Sequence, residues 1–221
     1  MTQVLALVAA RDEADRIGAT VAGLRAVARV SDVVVADDGS VDDTAARAID
    51  AGARVLRTPR SRGKGGALEG AIDALDVTPD VWLLVDGDLA ETASGVEPLL
   101  EAVLEGRADL AIGVIPRAAG GGFGLIRRAA GAAIRRLGGI TVTQPLSGQR
   151  ALTADAMGAV RPLADGFGVE TAMTIDAARA GLRVLEVPVE VHHRATRRDV
   201  AGFTHRGRQG VHIARAVLAR R

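Results

Sequence analysis

Short apolar runs alternate with helical patterns along the first half of this chain, and each run stops at a polar turn. Val4-Leu5-Ala6-Leu7-Val8, Asp32-Val33-Val34-Val35-Ala36, Arg54-Val55-Leu56-Arg57 and Val81-Trp82-Leu83-Leu84-Val85 are the runs. Between them Ile17, Val21, Leu24 and Val27 recur at helical spacing, and segments 42–50 and 65–75 read as two further helices. The runs are too short for buried helices and are apolar on both faces. That suits parallel strands covered from both sides. Strand–helix alternation builds right-handed βαβ units, so residues 1–110 predict a doubly wound, Rossmann-like half of the kind that binds nucleotides.

The rhythm changes after residue 110. Leu110–Val114 reads as a strand, Gly120-Gly121-Gly122 as a flexible loop and Leu125–Leu137 as a basic helix. Segment 149–153 predicts a strand and 168–180 a helix. From Leu182 to His192 the pattern alternates: Leu185, Val187, Val189 and Val191 share one face, Glu186, Glu190 and His192 the other. Pro188 inside that run points to an edge position or a bulge. His205–Leu218 reads as a basic amphipathic helix. No repeat or linker divides the chain, so the expectation is one domain, with a nucleotide-binding half (1–110) and an acceptor-side half (111–221).

Composition narrows the function classes. A formal net charge of +1 argues against bulk capture of nucleic acid. The absence of cysteine excludes disulfides and thiolate metal sites. No run reaches the length of a membrane span, and the first residues lack the basic flank of a signal peptide. The expected location is the cytoplasm. Arginine outnumbers acid from Arg183 onward, so the tail reads either as a solvated arginine-rich segment or as a surface for phosphates or for the inner face of an anionic membrane.

Three stretches carry chemistry. In Ala36-Asp37-Asp38-Gly39-Ser40, two carboxylates leave a strand's carboxyl end, where open α/β sheets bind ligands. The same acids, with Ser40 or Asp42, also suit a helix N-cap. In Asp86-Gly87-Asp88, two carboxylates follow a buried strand, a costly place unless paired, and a divalent cation is a natural partner. The plain alternative is a capped helix with solvated acids. Arg62-Gly63-Lys64-Gly65-Gly66 holds the chain's one lysine. It is no Walker A loop, because Thr58 stands where the first glycine belongs and Gly65 where Ser or Thr must follow. It reads either as a binding segment, with glycines that admit a ligand to the backbone, or as a helix start.

In chain order, VAARDEADRIGATVAGL, VVVADDGSVDDT, RGKGGAL, LLVDGDLAE, LSGQRAL, GFGVETAMTIDAARAGLRVLEVPVEV and HHR resemble the family 2 glycosyltransferases of the GT-A fold. Similarity is greatest to the branch of dolichyl- and polyprenyl-phosphate sugar synthases, with some to glucosyl-3-phosphoglycerate synthases. The resemblance implies an α/β, mostly parallel sheet with helices on both faces. It also implies a nucleotide-diphospho-sugar donor and Mg²⁺ or Mn²⁺. Ala9, Arg11 and Glu13 then wall the nucleotide, in a turn where the family's proline is missing and Asp12 replaces the usual Asn. Asp37 or Asp38 holds the base, Lys64 lies near base or phosphate, and Asp86, Gly87 and Asp88 face the diphosphate. Asp86 and Asp88 are the implied metal ligands.

Arg150 is implied beside the phosphates or sugar, with Gln149 where the family more often has an aromatic residue. Glu170 matches the family's acid near sugar or acceptor. His193 precedes Arg194 where the polyprenyl branch has an acid. A histidine in a comparable pair helps bind metal in the phosphoglycerate group, so His193 is an expected third ligand. Arg194, Arg197 and Arg198 suit an acceptor phosphate. The expected partners are the donor and a phosphorylated acceptor, polyprenyl phosphate or a small soluble molecule. Peripheral membrane contact through the basic C-terminal helix and a homodimer are compatible with this reading. A phosphate acceptor needs no strong base, whereas a hydroxyl acceptor would call on Glu170 or Asp165. Family 2 implies inversion, the phosphoglycerate group retention. A nucleotidyltransferase is disfavoured by the lack of a glycine loop after the first strand. A non-catalytic sugar-nucleotide binder is disfavoured by the intact acid set.

Overall fold

The computed structural model describes residues 2–115, 124–193 and 214–220. Seven strands form one sheet in the order β3-β2-β1-β4-β6-β5-β7. β1 (Val4–Ala10), β2 (Asp32–Asp37), β3 (Arg54–Arg57) and β4 (Val81–Asp86) are parallel to one another. β6 (Arg150–Thr153) runs antiparallel between β4 and β5 (Leu110–Val114), and β7 (Val184–Pro188) pairs parallel with β5.

Helices cover both faces. α1 (Ile17–Arg25), α2 (Thr44–Asp50) and α4 (Glu97–Leu104) pack on one side through Ile17, Val21, Leu24, Ala48, Leu99 and Val103. α3 (Gly63–Asp73), α5 (Gly124–Gly138), α6 (Ala154–Val160) and α7 (Val169–Arg179) pack on the other through Leu68, Ile72, Ile134, Met157 and Met173. Strand alternation divides the core the same way: Val4, Ala6 and Val8 face one cluster, Leu5 and Leu7 the other. Among the described residues no helix is long and apolar enough to cross a membrane.

Several elements differ from the sequence expectation. α3 begins at Gly63, two residues early, so Lys64 lies in its first turn. The long run ending at His192 yields a strand only to Pro188, which closes an edge strand because it cannot donate to a further ladder. Its alternation persists beyond: Val189 and Val191 are buried while Glu190 and His192 are exposed. The 3-10 turn Ala90–Val96, α4 and α6 were not anticipated. All three are short, and each follows a strand or turn signal at once. For α6 the missed cue is Thr153, whose hydroxyl accepts from the Ala156 amide as an N-cap. The loop after Val114 with its glycines, Arg194, Arg197, Arg198 and the start of the expected C-terminal helix lie outside the described residues.

Candidate active site

Strand register sets the site. Ala10 pairs with Asp37, and Ala9 with Asp86, so β1, β2 and β4 end along one edge of the sheet. Antiparallel β6 begins at that same edge, which brings Gln149 and Arg150 there; Arg150 pairs with Leu84 and Ile112. β7 also points toward it, and the chain continues to His193.

The turn 86–90 is built to hold its acids. The Gly87 amide donates to Ala9 O at 2.9 Å, and a Cβ on Gly87 would lie 3.0 Å from that of Ala10. Buried Thr20 of α1 donates to Gly87 O at 2.9 Å and accepts from the Ala90 amide at 2.8 Å. Arg16 donates to Asp88 O at 3.1 Å. Ala90 itself is left-handed at φ 51°, a conformation that non-glycine residues hold only when their surroundings enforce it.

Six side chains converge. Lys64 Nζ lies 2.5 Å from Asp86 Oδ1 and 2.7 Å from Glu170 Oε1. Gln149 Nε2 is 2.9 Å from Asp86 Oδ2 and 3.0 Å from His193 Nε2. His193 Nδ1 is 3.0 Å from Asp88 Oδ1. Gly148 passes so close that a Cβ there would stand 2.3 Å from Asp86 Oδ2 and 2.4 Å from Lys64 Nζ. Burial alone would lower the Lys64 ammonium, but the charges of Asp86 and Glu170 and hydrogen bonds to both hold it above the ordinary lysine value. Burial alone would raise Asp86; Lys64, His193 and a hydrogen bond from Gln149 keep it below the ordinary aspartate value. Burial alone would also lower His193, and Asp88 and Asp86 together raise it.

Asp86, Asp88 and His193 each offer one ligand atom, all within 4.8 Å of one another. Two carboxylate oxygens and one imidazole nitrogen are a donor set that accepts Mg²⁺ or Mn²⁺. The residues present therefore fit the cation that the sequence resemblance implies.

Other candidates sit around this cluster. Arg150 is 1% exposed, with Nε on Ser147 O and Nη1 on Thr174 Oγ1, both at 2.9 Å. Burial pushes its guanidinium down to about 10, although Glu170, Asp86 and Glu186 act to raise it. It is a buried cation behind the cluster. Asp38 is buried and pins the segment before α3: its oxygens accept from Ser61 Oγ at 2.6 Å, Arg62 N at 2.6 Å and Gly63 N at 3.0 Å. Asp37 folds back on Ser40, accepting from its amide at 2.8 Å and its hydroxyl at 2.5 Å, with Arg57 3.4 Å away. Neither Ser40 nor Asp42 is the α2 N-cap; Asp43 holds that place without a side-chain bond.

Arg11 is exposed and donates to Ser61 at 2.6 Å. The Glu13 amide donates to Thr44 Oγ1 at 2.8 Å, and Ala9 lies at the end of β1. Asp12 has φ 53°, which explains why Asp or Asn suits the turn, and its Oδ1 accepts from the Val41 amide at 2.8 Å. Asp165 is exposed.

The glycines around Lys64 serve a purpose the sequence did not reveal. A Cβ on Gly65 would lie 1.8 Å from Ala164 O, and one on Gly63 2.8 Å from Gly166 Cα. The backbone they admit is the protein's own, in the turn that leads to Glu170. Lys64 is thus both a helix-start residue and a member of the cluster.

An open α/β sheet with a two-carboxylate, one-imidazole candidate cation site at its strand ends defines the class of protein, one that gathers ligand-binding groups at the carboxyl edge of its strands. Residues 6–152 match the family model described as Glycosyl transferase family 2, and the chain belongs to that family. It is 33% identical over 172 residues to Glycosyltransferase AglJ of Haloferax volcanii, covering 74% of this chain and 55% of that one. To the glucosyl-3-phosphoglycerate synthase of Mycolicibacterium paratuberculosis it is 34% identical over 197 residues, covering 76% and 57%. To the undecaprenyl-phosphate mannosyltransferase of Micrococcus luteus it is 32% identical over 203 residues, covering 85% and 82%. The chain thus spans little more than half the length of the first two. Among solved structures, glucosyl-3-phosphoglycerate synthase of Mycobacterium tuberculosis with phosphoglyceric acid superposes with a TM-score of 0.84 at 28% identity, over 99% of this chain and 80% of that one. The same enzyme with Mn²⁺, uridine diphosphate and phosphoglyceric acid gives 0.83 at 26%, over 99% and 78%.

Proposed function

We propose that this chain transfers a hexosyl group from a nucleoside-diphospho-sugar to a phosphorylated acceptor. The observation that carries the reading is the convergence of Asp86, Asp88 and His193 beside the Lys64–Glu170 pair. Asp86, Asp88 and His193 would hold Mg²⁺ or Mn²⁺, which supplies charge neutralisation for the departing diphosphate. Lys64 offers a second positive charge at the same edge. Its ammonium is already desolvated and held by two carboxylates, so little rearrangement is needed to share it with a phosphate oxygen. Buried Arg150 adds a fixed positive field behind Asp86 and Glu170. Glu170 shares the Lys64 ammonium with Asp86, which keeps it at the site where sugar or incoming acceptor would lie. An acceptor phosphate oxygen is already anionic and attacks the anomeric carbon without a strong base.

Polyprenyl phosphate is the acceptor favoured by likeness to the mannosyltransferase, of whose length this chain covers 82%. A small soluble phosphorylated acceptor is a second reading, favoured by His193 in the cation site and by the phosphoglycerate synthase structures. Sugar transfer assays with undecaprenyl phosphate and with 3-phosphoglycerate separate them. Flotation with anionic phosphatidylglycerol vesicles tests the membrane contact that the first reading expects of the C-terminal helix.

The donor site is tested first, by calorimetric titration of UDP and GDP, with and without Mn²⁺, on wild type and Asp88→Ala. The expected result is Mn²⁺-dependent binding of one nucleotide, lost in the variant. Failure of both nucleotides to bind under every metal condition would sink the glycosyltransferase reading.

A further inference from the structure

Arg150 is the one buried arginine among the described residues, and no carboxylate there touches it. Arg161, Arg183 and Arg220 are more exposed, and each grips an acid: Glu69 at 2.9 Å, Asp109 at 2.6 Å and Asp176 at 2.5 Å. Arg150 bonds only neutral oxygens, Ser147 O through Nε and Thr174 Oγ1 through Nη1, and its buried Nη2 has no partner. Strand register sets it between Leu84 and Ile112, in the core layer beneath α7.

An unpaired buried cation is costly, and an aliphatic side chain would fill the same space without that cost. A guanidinium held by neutral oxygens does keep its field for groups further off, because no contacting carboxylate cancels it. The acids that act on Arg150 are Glu170, Asp86 and Glu186. Glu186 is engaged elsewhere, accepting from the amides of Thr143 and Gln144 at 2.8 and 2.7 Å. Glu170 and Asp86 share the single ammonium of Lys64, which leaves one negative charge over.

Hydrogen bonds make the same link. Thr174 Oγ1 accepts from Arg150 and donates to Glu170 O at 2.8 Å, one turn earlier on α7. A hydroxyl has one hydrogen, so both roles are fixed. Ser147, whose carbonyl Arg150 also holds, precedes Gly148, the residue packed against Asp86 and Lys64. One side chain therefore braces two walls of the Lys64 site.

We propose that Arg150 is a positioning residue for Glu170, bracing the first turn of α7 against the turn at 147–148 and keeping the Glu170 carboxylate in place when Lys64 turns to the donor diphosphate. The proposal rests on the reading that Lys64 faces that diphosphate. The sequence resemblance implies a place for Arg150 beside phosphate or sugar; at 1% exposure it stands a layer deeper and acts through Glu170 and Lys64.

Lys64 is the chain's one lysine, so ¹⁵N-lysine labelling gives a single side-chain ammonium signal from the site itself. That signal is compared in ligand-free wild type, Arg150→Met and Thr174→Val. UDP with Mn²⁺ is titrated calorimetrically into the same proteins and into Arg150→Lys. Both labelled variants are expected to shift the Lys64 signal, because Glu170 is no longer held. Arg150→Met is expected to bind UDP about 10-fold more weakly, and Arg150→Lys, which keeps the charge, to recover most of that loss. A folded Arg150→Met with the wild-type Lys64 signal and a UDP affinity within about twofold of wild type would overturn the proposal. So would an Arg150→Lys that binds UDP no better than Arg150→Met, since packing alone would then account for the residue. Should Arg150→Met fail to fold, Thr174→Val decides, and an unmoved Lys64 signal overturns the proposal. Wild type that binds no UDP would sink the donor reading, while the Lys64 signal would still decide the link from Arg150 to Glu170.

Discussion

A single lysine neutralises two acids at the centre of this site, Glu170 buried and Asp86 half-buried. Lys64 holds Asp86 at 2.5 Å and Glu170 at 2.7 Å, with only 14% of its side chain exposed. Replacing it by methionine keeps the volume but leaves two carboxylates against each other without a counter-ion. Breaking a buried pair from one side typically costs about 3–5 kcal/mol. Lys64→Met should therefore lower the urea midpoint strongly in metal-free buffer, measured by equilibrium unfolding. The pH dependence has a definite sign. Asp86 is held below its ordinary value, so its contribution is complete above about pH 4 and is lost as pH falls through the lower folded value. Lys64 is held above its ordinary value, so its contribution is complete below about pH 10 and is lost only as pH rises through the higher folded value. Urea midpoints should fall in acid, and Asp86→Asn should flatten that acid limb; His193, held above its ordinary value, adds a contribution that is complete below about pH 6.5 and lost as pH rises through its higher folded value. A wild-type acid limb no steeper than the variant's would contradict this. The acids and the lysine were legible as residues because each sits in a motif of its own. Gln149 was visible only as a departure, since its partners stand 63 and 44 positions away in sequence.

At the scale of elements, α3 and the turn before α7 are fitted backbone to backbone. A Cβ on Gly65 would collide with Ala164 O at 1.8 Å, and no flexible side-chain end is there to give way. Gly65→Ala should cost about 1–3 kcal/mol as an overpacked contact and should separate Lys64 from Glu170. Gly70, in the same helix, meets only a guanidinium nitrogen of Arg62 at 3.6 Å. Gly70→Ala should be neutral or stabilising, up to about 1 kcal/mol from helix propensity. Thermal melts of the two variants check this contrast, and equal effects would refute the close-packing account. The same helix is tied to the segment before Glu170 by Arg161, which bonds Glu69 at 2.9 Å and reaches Asp73 as well. Hydrophobic period was enough to find α3 and α7. It could not distinguish a glycine facing ligand from one facing another turn, because both need the same bare backbone.

In the whole molecule the two halves read from the sequence join edge to edge in one continuous sheet. β6, from the second half, lies against β4, from the first, pairing Val81 to Thr153 and Leu84 to Arg150. A fragment of residues 1–110 would leave β4 with an unpaired apolar edge. It should fail to fold, as seen by loss of far-ultraviolet dichroism or by aggregation. For the full chain, Trp82 sits 2% exposed in β4, next to both β1 and β6. Its fluorescence and far-ultraviolet dichroism should report one coincident transition; two separated transitions would argue for independent halves. Local patterning by itself determined the parallel βαβ half and the acidic strand ends. These depend on period, propensity and the chemistry of neighbouring residues. Only the tertiary structure decided that β6 inserts antiparallel, that Gln149 and His193 meet Asp86 and Asp88, and that the glycines beside Lys64 face protein. Those outcomes are set by strand order and register, and contacts between distant segments leave no periodic trace in the sequence that makes them.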